Sequence, residues 1–292
     1  MKREVKKLDA TKREISIEVS GDIVKNKFQE VSKKIGQEAK VPGFRVGHVP
    51  ADILEKHFSP QMQQRVLEEL VPDVYQEAVK EEGLEVIDLP DISDVKLDNQ
   101  NLSFKATVEV RPEIKLKHYK GLEIKYKKIE VSSDEIKRNI DALREARKVD
   151  SIDDNCARGL GFPNLLELEK AVERQIFMHK ENLGRQKIEN DIIEHITRGL
   201  DFSLPQPLIN RQLQDLVRQA KLDLALKGVS GQELEEREKA LSSELEPLAK
   251  KEVKVYLVLA EIAKRENIPQ DDHMSRCVIE FLLREANWQE TS

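Results

Sequence analysis

The chain is poor in the groups from which most active sites are assembled. Cys156 and Cys277 are its only cysteines, and neither has a second cysteine at metal-ligand spacing. A thiolate zinc site is therefore excluded, and two widely separated thiols read as free in a reducing cytosol. None of the six histidines, His48, His57, His118, His179, His195 and His273, forms a His-x-x-x-His pair. Aromatics make up 4% of the residues and are absent from Arg144 to Gly161. That stretch cannot build an aromatic-walled pocket. No apolar run approaches membrane-spanning length, and Met1-Lys2-Arg3-Glu4-Val5-Lys6-Lys7 lacks the apolar core of a signal peptide. The expected location is cytoplasmic, with no membrane partner. Excess positive charge is missing too: 49 Lys and Arg stand against 55 Asp and Glu, a net charge of -6. Wrapping nucleic acid with the whole surface is excluded, and any such contact has to be local. Gly159-Leu160-Gly161 lacks the rest of a nucleotide fingerprint and reads as a turn. Asp153-Asp154 reads as a solvated helix cap. No cofactor, metal or catalytic residue is implied.

What is present is helix. A length of 292 residues allows two domains, and 36% charged residues suit a solvated, helix-rich chain. Ile15, Ile17 and Val19 alternate as in a half-buried strand, and Ser20-Gly21-Asp22 supplies capping before a helix bearing Val24, Phe28, Val31, Ile35 and Ala39. A loop and a short helix follow. Ser59-Pro60 then opens a helix with Val66, Leu67, Leu70, Val74 and Ala78, stopping near Glu82-Gly83. Leu84 and Val86 read as a short strand, and Phe104, Ala106, Val108 and Val110 as a longer one ended by Arg111-Pro112. This order predicts an α+β domain over residues 1–112, an antiparallel sheet covered on one face by helices.

Residues 113–150 read as a connector. Leu122, Ile124 and Tyr126 form a strand, and Ser132-Ser133-Asp134-Glu135 caps a helix with Ile136, Ile140 and Leu143. Residues 151–292 read as an elongated all-α domain. An apolar stripe runs from Leu165 to Leu200, with Gly184 as its one candidate break. Asp201-Phe202-Ser203-Leu204-Pro205 interrupts it. A helix from Ile209 toward Gly228 follows, then a third carrying Leu234, Leu241 and Leu245, and a fourth opened by Pro247. Val253, Leu257, Leu259, Ala260 and Ile262 leave that fourth helix apolar on much of its circumference, which suits a central position. Val278–Leu283 forms a last helix before a polar tail.

The stretch Val41-Pro42-Gly43-Phe44-Arg45-Val46-Gly47-His48-Val49-Pro50 is the tip between two helices, with an aromatic beside a fixed positive charge at its apex. By itself such a loop reads as a connector. Gly43-Phe44-Arg45-x-Gly47-x-x-Pro50, however, resembles the signature loop of the trigger factor family of ribosome-associated bacterial chaperones. Four later stretches resemble the family in order: Ile152-Asp153-Asp154 with Leu160-Gly161-Phe162, Asp201–Pro205, Val253–Ala263 and Val278–Leu283. The family carries lysines where this chain has Val46 and His48. It also carries an FK506-binding-type prolyl isomerase domain between connector and helical domain. Here Ala146 is followed within a few residues by Ile152, leaving no room for about 100 residues.

The resemblance implies an ATP-independent chaperone. Gly43, Phe44, Arg45, Gly47 and His48 would dock to the large ribosomal subunit at the exit tunnel, on ribosomal protein and local ribosomal RNA. The helical domain would hold nascent or unfolded polypeptides, and a homodimer is compatible with the sequence. A ribosome-independent holdase or assembly adaptor is the alternative, and a prolyl isomerase a third reading that the aromatic-free linker argues against.

Overall fold

The computed structural model describes residues 1–38, 44, 51–116, 118–149 and 151–291. In chain order the elements are β1 (Lys2–Lys7), β2 (Lys12–Ser20), α1 (Asp22–Glu38), α2 (Ala51–Glu81), β3 (Asp91–Leu97), β4 (Asn101–Glu109), β5 (Glu123–Tyr126), α3 (Ser133–Arg147), α4 (Asp154–Gly159), α5 (Leu165–Thr197), α6 (Gln206–Leu226), α7 (Gly231–Arg265), α8 (Met274–Arg284) and β6 (Asn287–Glu290). They form two compact units, each drawn from two separate stretches: Met1–Glu113 with Asp201–Val253, and Ile114–Leu200 with Lys254–Ser292.

In the first unit, alternation does what period-two patterning requires. Ile15, Ile17 and Val19 of β2 stand opposite Ala106, Phe104 and Leu102 of β4, and all six are buried. The four-stranded antiparallel sheet has the order β1-β2-β4-β3. Val24, Val31 and Ile35 of α1 and Val66, Leu70, Val74 and Ala78 of α2 share its core. The chain thus has the predicted α+β arrangement at its N-terminal end.

Several expectations are corrected. The charged N-terminus forms β1, whose one apolar residue, Val5, gives no periodic signal; its strand identity is borrowed from the backbone of β2. Ser59-Pro60 does not open a helix, because α2 runs unbroken through Pro60 and Pro72. A proline inside a helix forfeits one backbone bond, and the apolar face from Met62 to Ala78 holds the helix together across the gap. Leu84 and Val86 form no strand; Val86 makes a single bridge to Val110. The strand that pairs with β4 at that edge of the sheet is β3, whose pattern is scrambled by a register shift between Ser93 and Lys96, with Asp94 at φ 54°. The stop at Gly83 is as expected. Its φ is 61°, Leu84 N–H donates to Val79 O and Gly83 N–H to Lys80 O, which together close the last turn.

The same unit contains α6 and the first part of α7. Gln206 N–H donates to Glu109 Oε2 at 3.0 Å, fastening the start of α6 to the end of β4. Lys221 meets Glu238 at 2.6 Å and Gln212 meets Glu252 at 2.7 Å, so α6 and α7 run antiparallel. Pro247 lies inside α7 and does not begin a fourth helix.

In the second unit α5 is continuous through Gly184, because one glycine costs a helix only about 1 kcal/mol. Asn164 caps it, and Asp153 caps α4 by accepting from Cys156 N–H at 2.8 Å, the role expected for that carboxylate. Ser132 and Glu135 form the reciprocal cap of α3. Leu257, Val258, Leu259, Ala260, Ile262 and Ala263 are all buried, so this turn of α7 is enclosed on every side, as its composition predicted. Tyr119 Oη donates to Glu266 at 2.7 Å and Lys120 pairs with the same carboxylate at 2.8 Å, which ties the connector to the end of α7. The hydrogen bond from Lys120, then that from Tyr119, holds Glu266 below the usual glutamate range. The tail beyond α8 is not merely polar: it supplies β6, paired in parallel with β5.

Candidate functional site

The helices flanking the signature stretch form a braced stalk. One side is apolar: Val24, Val31 and Ile35 are buried with Met62 and Val66. The other is ionic. Glu69 of α2 accepts from Lys27 at 3.2 Å and Lys34 at 3.2 Å, and Lys34 also meets Glu30 at 2.8 Å. The Lys27 hydrogen bond first, and that of Lys34 second, hold the Glu69 carboxyl below the usual range. Between the helices in the chain, Phe44 leaves 42% of its area exposed. Gly43, Arg45, Gly47 and His48, with Val46, lie outside the described residues.

A second kind of surface is apolar and helical. In the first unit, Leu222 (61%) and Leu226 (80%) of α6 and Leu248 (41%) of α7 stand exposed. In the second, α5 exposes Leu166, Phe177, Met178 and Leu183. None of the exposed residues of α6 and α7 is among the apolar positions read from the sequence, and of those on α5 only Leu183 belongs to its stripe. Neighbouring elements cover only part of α5, where Leu168, Ile192 and Ile196 are the fully buried residues. The second unit also holds a groove of about 920 Å³ beside Tyr126, Ile188, Leu283 and Trp288. The sequence reading missed it, because the Lys125–Glu130 run, α5 and the tail residues Trp288 and Thr291 that line it lie far apart in the chain. The one usable signal was Trp288, the sole tryptophan, alternating within Asn287-Trp288-Gln289. Among the described residues no cluster of His, Cys, Asp and Glu is arranged to hold a metal ion.

Comparison with known proteins agrees with this architecture. Residues 1–143 match the family described as bacterial trigger factor protein, and residues 164–288 match its C-terminus. Only residues 144–163 lie between the two matches. Trigger factor of Natranaerobius thermophilus is 38% identical over 141 residues, which cover 48% of this chain and 32% of that protein. Trigger factor of Solibacter usitatus is 26% identical over 359 aligned positions, covering 89% of this chain and 85% of its own length. That alignment is longer than the present chain, so the relative carries residues with no counterpart here. A solved structure of the trigger factor chaperone, from work on promiscuous substrate recognition in folding and assembly activities, superposes with a TM-score of 0.58 at 14% identity. It covers 97% of this chain and 99% of the other, and shows the same fold. With residues 1–143 and 164–288 matched in order, this chain belongs to the bacterial trigger factor family.

Proposed function

We propose that this chain is an ATP-independent cytoplasmic chaperone that docks at the large ribosomal subunit beside the exit tunnel and holds emerging or unfolded polypeptide. Residues 1–112 carry docking, 113–150 connect, and 151–292 carry most of the client-holding surface. The observation that carries this reading is Phe44, an aromatic left exposed at the head of a stalk that is packed and ion-paired below it. Gly43 and Gly47 free the backbone there, and Arg45 offers a planar fork to a carboxylate or phosphate of ribosomal protein or RNA.

Holding follows from the exposed leucines and from Phe177 and Met178. Each apolar contact contributes about 1.5–3 kcal/mol at most when fully buried, so a client engaging a few of them binds weakly and releases without nucleotide. Surrounding charge keeps the empty surface soluble. The chain has no prolyl isomerase activity in this reading, since residues 144–163 leave no space for that domain. Val46 and His48, in place of the family's lysines, favour a second reading as a holdase with little ribosome attachment. Cosedimentation with ribosomes, paired with suppression of aggregation of a denatured client without ATP, separates the two. Attachment with suppression is expected; suppression without attachment leaves the holdase, and neither sinks both readings.

A further inference from the structure

The groove of the second unit has a chemistry that the general holding surface lacks. Its floor is apolar: Tyr126, Ile129, Ile188 and Leu283 are half-buried and Trp288 is 48% exposed. Tyr126 and Trp288 meet edge to face at 5.9 Å, and Trp288 Nε1–H is anchored on Leu283 O at 3.2 Å. The indole is thus fixed with part of its area turned outward. One wall is the run Lys125–Glu130. Among the described residues, Lys128 and Ile129 make no backbone–backbone hydrogen bond. Unsatisfied main-chain groups beside an apolar floor are what an added extended strand pairs with. The sheet of β5 and β6 has only two strands, so each has an unpaired edge.

Charge narrows the occupant. Six cationic side chains line the groove against three carboxylates, Glu130, Glu181 and Asp191, on a chain whose net charge is -6. Lys180 is held by Glu135 at 2.7 Å and Arg185 by Glu189 at 3.1 Å. Lys125, Lys127, Lys128 and Lys187 are exposed and form no ion pair among the described residues. Lysines on an edge strand also deter self-pairing, but that purpose needs neither the fixed indole nor Lys187 on the facing helix α5.

We infer that this groove takes an extended polypeptide segment in which carboxylates flank a large apolar side chain. The apolar residue lies against Trp288 and Ile188, the main chain runs along Lys128 and Ile129, and the carboxylates reach the unpaired lysines. This deepens the client-holding reading and rests on it.

Trp288 is the chain's only tryptophan, so its emission reports the groove directly. The full chain is titrated with a short tryptophan-free peptide alternating Glu with Leu and Phe, and with its Lys counterpart. A saturable blue shift is expected, with the acidic peptide about fivefold tighter at low salt and the difference narrowing as salt rises. Lys125→Glu with Lys127→Glu should invert the preference. Lys187→Glu, a single exposed change on another element, should weaken the acidic peptide alone. Equal affinity for the two peptides overturns the acidic occupant. No spectral response while client aggregation is still suppressed overturns the groove and leaves the holding reading intact. Acidic-peptide binding without aggregation suppression keeps the groove and overturns the holding reading.

Discussion

Removal of the Phe44 ring tests the docking assignment with a magnitude that the structure bounds. Burying a wholly exposed phenylalanine contributes about 1.5–3 kcal/mol. Phe44 has 42% of its area still exposed, so docking can gain only that share, about 0.6–1.3 kcal/mol. Phe44→Ala should therefore weaken ribosome affinity by about three- to ninefold. Because the lost contact is apolar, the ratio should be the same at low and high salt, whereas a lost charge contact would be screened. The assay is ribosome cosedimentation at two salt concentrations, with far-UV circular dichroism to confirm the fold. Phe177→Ala, an exposed aromatic of similar area on α5, serves as the control and should leave affinity unchanged. An unchanged affinity for Phe44→Ala makes the tip a connector and removes the docking assignment. A loss far above ninefold would refute the area argument, since it would require Phe44 to shed its present surroundings on docking.

Three further outcomes are expected. Val46→Lys with His48→Lys should tighten ribosome binding and steepen its loss with salt, because each added cation supplies a screened contact; a flat salt response counts against an ionic docking partner. Glu69→Gln should lower the thermal midpoint near neutral pH. The folded pKa of Glu69 is depressed, so its stabilisation is complete above its unfolded value of about 4.3 and is lost as pH falls through the lower folded value; wild type and variant should converge in acid. Divergence in acid would mean the Lys27 and Lys34 bonds do not stabilise the stalk. The chain should leave the isomerisation of an X-Pro peptide at its uncatalysed rate, tens to hundreds of seconds, so any enhancement that survives repurification would expose a missed active site.

The strand periods of Ile15–Val19 and Phe104–Val108 were legible in the sequence because each strand packs on a single, consistently apolar face, and the burial of Leu257–Ile262 was legible because that stretch is apolar around most of the helix. The caps at Ser132, Asp153 and Gly83 were legible for a related reason: a cap is satisfied by groups within a few residues of itself. Prolines misled at Pro60 and Pro247, since a proline reports the local loss of a hydrogen bond and not the packing that outweighs it. The signature stretch resembled the family as a string of residue types, and of its proposed docking residues only Phe44 is among the described residues. Tertiary structure alone decided the rest. β1 and β6 have almost no apolar pattern, and each becomes a strand only through the backbone of a partner, adjacent for β1 and more than 150 residues away for β6. Each compact unit joins two distant stretches, which no linear scan can assemble. Exposed and buried leucines occur on the same helices, and only the neighbours actually packed against each helix determine which of them reach solvent.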